Sequence, residues 1–181
     1  MSTMAARKDQ VISPWSLGMR VRMIVWEWSW NLFCAWTPKP LNRWRLLWLR
    51  LFGARIAGVP FVHQRARIQM PWNVSLEDRC CLGDRANLYS LGPIEIGAGA
   101  VIAQEAYLCT GTHDFDQPGL PLVMRAIRIG RDAFLGARVF VLPGVEIGAE
   151  AIVGAGSVVT RDVAAGTINA GNPSRMLRPR S

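Results

Sequence analysis

The chain is short of the residues that usually announce a metal centre, a disulfide scaffold or a membrane span. It has two histidines, His63 and His113, and four cysteines with no CxxC spacing. Cys80 and Cys81 are adjacent while Cys34 and Cys109 stand alone, so no disulfide framework is written here, and free thiols in a reducing compartment are expected. Two histidines are too few for a three-histidine zinc site, and no metal is expected. Long apolar runs are also missing. Between Pro14 and Trp36 the uncharged stretches are broken by Arg20, Arg22 and Glu27, whereas a bilayer-spanning helix needs ~20 predominantly apolar residues. Residues 1–14 are expected to carry no secretory signal, because they hold no apolar core before a small-residue cleavage site. Residues 1–13 read as polar and loose.

What is present is unevenly distributed. Half of the 181 residues are apolar, enough for one domain with a core. Of the net charge of +8, residues 1–55 carry nine Lys/Arg against Asp9 and Glu27, giving +7. Residues 56–181 carry twelve Arg against eleven acids, giving +1, and only one of the eight tryptophans. A nearly neutral body therefore bears a cationic, aromatic N-terminal segment.

Within that segment, the Pro-Lys-Pro of residues 38–40 ends whatever precedes it. A second helix is expected over residues 41–52, with Leu41, Trp44, Leu47, Trp48 and Leu51 on one face and Arg43, Arg45 and Arg50 flanking it. Two readings stand side by side: helices that cap the body or pack between subunits, and a peripheral foot on an anionic membrane through residues 15–52. A basic stretch with aromatics also suits single-stranded nucleic acid. No nucleic-acid motif accompanies it, and none is expected as a partner.

From residue 56 the sequence repeats with a period of six. Ile56, Val62, Ile68, Val74, Cys80 and Ala86 open the series. Four extra residues then precede Ile96, so a small loop is expected around Leu91, Gly92 and Pro93. Ile96, Ile102 and Leu108 continue, and after a break Ile129, Leu135, Val141, Ile147, Val153 and Val159 complete it. Gly130, Gly136, Gly148 and Gly154 directly follow four of these, where glycine is expected to supply backbone geometry that a Cβ strains. Six is too long for a helical stripe and too long for one alternating strand. It fits a parallel β-helix, in which three short strands and three corners close each coil.

The segments IGRDAFLGARVFVLPGVEIGAEAIVGAGSVVT and AGNPSRML resemble the hexapeptide-repeat acyltransferases. AQEAYLCTGTHDF is closer still to the colanic-acid-type O-acetyltransferases of surface-polysaccharide biosynthesis, and RWRLLWLRLFGARI extends the likeness more loosely. The resemblance implies an all-β, left-handed parallel β-helix over residues 56–164. It would carry an N-terminal helical segment (1–55), one protruding loop near 112–126, and a C-terminal tail (165–181). It also implies a homotrimer in the cytoplasm, peripheral at the membrane if the foot reading holds.

The break in the ladder is where chemistry is expected. Leu108 and Ile129 are 21 residues apart, not a multiple of six, and His113 sits between them at a corner. Histidine is the side chain suited to base work near neutrality. The resemblance makes His113 the base that takes a proton from a sugar hydroxyl as its oxygen attacks the thioester of acetyl-CoA, in direct transfer with a carbohydrate acceptor. Asp114 or Asp116 is expected to orient the ring or meet substrate, and Asp114 equally suits an Asx turn. Asn87 resembles an acceptor-binding asparagine. For the coenzyme the resemblance marks Phe134, standing where relatives commonly have Trp. It also marks Ala137 and Ala155 at corners where small residues admit pantetheine, Thr160, and Arg161 and Arg175 for phosphates. Cys109 suggests a covalent route, but direct transfer needs no thiolate and a cysteine on a coil face suffices. Competing functions are a related zinc β-helix of the γ-carbonic-anhydrase type, short of histidines, and a non-catalytic scaffold.

Overall fold

The computed structural model describes residues 14–180; residues 1–13, read above as loose, lie outside the described residues. From Arg55 onward the chain winds through three parallel sheets in strict rotation. The first face collects Arg55–Ile56, Val74–Leu76, Ile94–Ile96, Ile127–Ile129 and Glu146–Ile147. The second begins at Phe61–Val62 and the third at Arg67–Ile68, each receiving one strand per coil. This is the parallel β-helix that the period of six implies.

Its core is made of stacked aliphatic rows. On the first face Ile56 pairs with Leu76, Leu76 with Ile96, Ile96 with Ile129 and Ile129 with Ile147. The row corrects the ladder read from sequence: after Ile68 the inward series is Leu76, Leu82 and Leu88, not Val74, Cys80 and Ala86. Each strand has a second inward position two residues before the first, filled by Val74, Cys80 and Ala86, all buried. A shift of two therefore lands on another apolar inward residue and goes unnoticed. The four surplus residues are split into two insertions, at 69–73 and 89–93. Both lie at the corner between the third and first faces, directly beneath the long break.

The glycines after the ladder positions also have a different reason from the one expected. Gly130, Gly136, Gly148 and Gly154 do not take positive φ; that conformation falls on other corner residues such as Arg85, Glu105 and Arg138. What a side chain would meet is the next coil: a Cβ on Gly136 would lie 2.6 Å from the Ala155 backbone N. Close stacking of corners excludes it.

Helices α1 (Leu17–Phe33) and α2 (Asn42–Leu51) close the open end. A first coil leaves edge carbonyls and amides that must find partners. The Trp26 indole donates to the Ile68 carbonyl (2.6 Å) and Arg45 Nε to the Val62 carbonyl (2.8 Å). Asn42 accepts from the Val62 amide and donates to the Pro60 carbonyl. These bonds place the helices over the first coil, with α2 turned so that the face opposite to its Leu/Trp stripe packs inward. Arg45, Leu46 and Leu49 are buried, while Leu41, Trp44, Leu47 and Leu51 are exposed. Arg45 is a buried anchor and does not flank a surface face.

Beyond residue 164, where a tail was expected, the second face gains Thr167–Ala170, and Arg175–Pro179 turns back antiparallel beside it. The three faces differ outwardly. The first shows the row Arg55, Ser75, Glu95, Arg128 and Glu146, with an Arg128–Glu95 ion pair of 3.3 Å. The second shows Phe61, Cys81, Val101, Phe134, Ile152 and Ile168, without a charge.

Candidate active site

The long break folds as an antiparallel hairpin, Gly111–His113 against Leu122–Met124, projecting from the corner between the third and first faces. A hairpin of two short strands is marginal by itself, and this one is tied down by a buried polar column. Thr110 Oγ1 donates to the Tyr89 carbonyl and accepts from the Gly92 amide, both at 2.8 Å. Thr110's carbonyl accepts from the Arg125 amide, closing the hairpin base. One coil below, Ser90 exchanges bonds with the Met70 backbone, and Asn73 donates to the carbonyls of Ser90 and Leu91. The two short insertions are the footing of the long one.

Replacing Thr110 by valine keeps the shape, leaves the Gly92 amide without its acceptor and leaves the Tyr89 carbonyl with only the Thr110 amide as donor, at a cost of about 2 kcal/mol. Thermal unfolding should fall by about 4–8 °C. If the column positions the hairpin, kcat falls as well, and Thr110→Ser restores both.

His113 is exposed near the hairpin end, with Nδ1 2.5 Å from the Leu120 carbonyl oxygen. A carbonyl only accepts, so Nδ1 carries the proton in the neutral ring and Nε2 presents its lone pair outward. The ring is therefore fixed by a backbone oxygen and not by an aspartate. Asp114 accepts from the Asp116 amide (3.0 Å) and from the Gln117 amide group (2.8 Å), which is the Asx-turn arrangement. Asp116 is exposed, and its carboxylate has no partner among the described residues. The Cys109 thiol donates to the Gly111 carbonyl at 3.1 Å.

Asn87 lies on the outer side of the third face, stacked between Arg67 and Tyr107. There it lines a groove of about 450 Å³ that sequence reasoning missed. One wall is this face, with Arg67, Asn87, Tyr89 and Tyr107; the other is α1, with Glu27 and Asn31 over Trp26 and Trp30. Tyr107 stacks on Phe140 (5.0 Å), and burial raises its phenol above the ordinary range, keeping it a neutral donor. The groove meets the hairpin at Tyr89, whose ring lies beside Gly111.

The residues expected to meet coenzyme are elsewhere. Ala137 and Ala155 stack at the corner between the second and third faces, where the Gly156 amide donates to the Ala137 carbonyl. Phe134 is 43% exposed on the second face. Thr160 and Arg161 are exposed at the same corner as His113, two coils farther on, and Arg175 is exposed on the terminal strand. One chain thus brings together His113, Asp114, Asp116 and the groove, and keeps Ala137 and Ala155 at a different corner.

A family pattern described as the hexapeptide repeat of succinyl-transferase matches residues 73–107 and 126–161. The colanic acid biosynthesis acetyltransferase WcaF, as the protein is named in Escherichia coli (strain K12), is 40% identical over 163 residues, 90% of each chain. The chain belongs to the hexapeptide-repeat acetyltransferases. Solved structures agree on the fold of this acetyltransferase. A maltose O-acetyltransferase from Clostridium difficile 630 superposes with a TM-score of 0.79 at 23% identity, covering 92% of this chain and 90% of that one. A hexapeptide-repeat acetyltransferase from Vibrio cholerae O1 biovar eltor, solved with acetyl coenzyme A, superposes with a TM-score of 0.80 at 23% identity, covering 92% and 91%.

Proposed function

We propose that this acetyltransferase moves acetyl from acetyl-CoA to a hydroxyl of a carbohydrate in surface-polysaccharide assembly, with His113 as general base. The observation that carries the reading is the Nδ1–Leu120 carbonyl bond, which leaves Nε2 free to accept a proton. The acceptor hydroxyl gives its proton to Nε2 as its oxygen bonds to the thioester carbonyl carbon. The tetrahedral intermediate then expels the coenzyme thiolate, and the imidazolium returns the proton to that sulfur. Asp114 acts on the loop that supplies Leu120, a positioning role. Asp116 lies at the loop surface where an acceptor would pass. The groove suits a sugar, with tyrosine and tryptophan rings for its faces and Glu27, Asn31, Arg67 and Asn87 for its hydroxyls.

Acetyl-CoA as donor is supported by the Vibrio relative. In this reading the coenzyme lies along Ala137 and Ala155, against Phe134, with Thr160 nearby and Arg161 and Arg175 on its phosphates. Since those alanines and His113 occupy different corners, the complete site forms between two copies. The uncharged row from Phe61 to Ile168 on the second face supports a homotrimer that covers it, leaving the charged first face to water. The free cysteines fit a cytoplasmic location.

The test is acetyl-CoA turnover with a panel of free and lipid-linked saccharides, with the product's new O-acetyl ester located by NMR. Coenzyme release matched by ester formation supports the reading. Acetyl-CoA binding without turnover on any acceptor would return the chain to a scaffold.

A further inference from the structure

Helix α1 is apolar on two sides, and only one of them is used. Trp26 and Trp30 pack on the first coils. The opposite side carries Leu17, Val21, Ile24, Val25, Trp28 and Leu32, at spacings of three and four, all exposed; Leu17 is 75% and Trp28 73% exposed. A stripe of this regularity on the outside of a helix is an unpartnered amphipathic face.

The stripe continues onto α2. The two helices run antiparallel: Arg22 reaches the Phe52 carbonyl near one end, and Phe33 stacks on Trp48 (4.7 Å) near the other. The Trp44 indole donates to the Phe33 carbonyl, joining the surfaces, and Leu47 and Leu51 extend the exposed side. Arg20 on α1 and Arg43 and Arg50 on α2 stand exposed at its rim.

We propose that this outer surface of the α1–α2 hairpin docks on an anionic phospholipid bilayer, and that the docked hairpin holds the groove beside the membrane. Charge selects a bilayer over a second copy of the chain, and two further observations fit the manner of docking. The exposed rim carries Arg20, Arg43 and Arg50, so two such surfaces face to face would oppose their arginines, whereas anionic head groups neutralise them. The Trp36 and Trp44 indoles already donate to the Leu32 and Phe33 carbonyls (2.7 and 2.9 Å), so both rings enter an apolar phase without an unpaired donor. Among the described residues no helix is long and apolar enough to cross a membrane, which leaves a helix pair lying in the interface.

The consequence deepens the reading of the groove as the acceptor site and rests on it. Glu27 and Asn31 line the groove from the same helix whose far side meets lipid. A groove so placed takes a saccharide carried on a membrane lipid.

The experiment uses the full chain and vesicles of phosphatidylcholine with or without phosphatidylglycerol. The protein should sediment with the anionic vesicles, and its tryptophan fluorescence should be quenched by brominated acyl chains. Trp28→Glu and Ile24→Glu should abolish both signals. Arg20→Gln, Arg43→Gln and Arg50→Gln together should weaken binding by on the order of tenfold or more. Circular dichroism and turnover of a free saccharide should be unchanged in all these variants, which separates loss of docking from loss of fold or catalysis. In vesicles, the same saccharide on a polyisoprenyl lipid should be acetylated faster by wild type than by Trp28→Glu. No sedimentation of wild type with anionic vesicles overturns the proposal. So does an unaltered vesicle affinity in Trp28→Glu accompanied by a smaller assembly in light scattering, which would assign the surface to a second copy.

Discussion

Replacing His113 by alanine should lower kcat by about 10²–10⁴-fold, the range that a positioned general base supplies. The hairpin is tied at its base through Thr110 and Arg125. His113 itself contributes one exposed bond, to Leu120. The variant should therefore keep its unfolding temperature and its KM for acetyl-CoA, so that the loss appears in the chemical step. Asp114→Ala should behave differently. It releases Asp116 and Gln117, loosens the loop that supplies the Leu120 carbonyl, and should cost less in kcat than removing the base. An Asp114→Ala variant as inactive as His113→Ala, with the loop still ordered, would restore the aspartate as a direct partner of the ring.

The largest effect on stability is expected at Arg45, which is fully buried on α2. Its Nε donates to the Val62 carbonyl, Nη1 to Thr37 Oγ1 and the Pro38 carbonyl, and Nη2 to the Lys39 carbonyl, all within 3.0 Å. Among the described residues no carboxylate pairs with it, and burial lowers its pKa from the ordinary arginine value. Neighbouring Cys34 is pushed up to about 12, chiefly by burial, and remains a neutral thiol. The guanidinium is thus solvated by carbonyl dipoles, and it fastens the 37–39 turn to the first coil. Arg45→Ala removes all four of these bonds and opens a cavity, and should destabilise by about 4 kcal/mol. Arg45→Lys, which keeps charge without the planar fork, should cost about half of that. Denaturant midpoints measure both, and a loss under about 1 kcal/mol for alanine would mean that the turn and coil are held by apolar packing alone.

The β-helix was legible because its core is written twice in every six residues. That redundancy also hid the coil length. With Cys80 and Ala86 buried as fully as Leu82 and Leu88, apolarity could not tell which pair led the strand, and two insertions were merged into one loop. The error concealed the groove. Arg67, Asn87 and Tyr107 recur every twenty residues, each before an inward Ile68, Leu88 or Leu108, and share one outer column only when coils of twenty are counted. Its other wall comes from α1, and no local pattern joins Glu27 to Asn87.

His113 stood out because it breaks the rhythm, but its partner was beyond reach of sequence. The Leu120 carbonyl is a backbone atom, while the aspartates that drew attention shape the loop. On α2, periodicity marks the Leu/Trp stripe as the apolar face, which under the capping reading is the side to bury. A first coil with unpaired carbonyls instead selected the side holding Arg45 and Trp48's neighbours Leu46 and Leu49, and left the stripe outside.

In the proposed enzyme a working site joins His113 of one copy to the Ala137 corner of the next. The most direct measurement is activity after unfolding and refolding a mixture of two inactive variants, His113→Ala and Ala137→Trp. Random assembly pairs an intact His113 with an intact alanine corner at about a quarter of the sites. This share of wild-type turnover should return on mixing, though neither variant shows it alone. A mixture as inactive as its parents, with assemblies of mixed composition confirmed by mass, would place the whole site within one chain and rule out a site shared between copies.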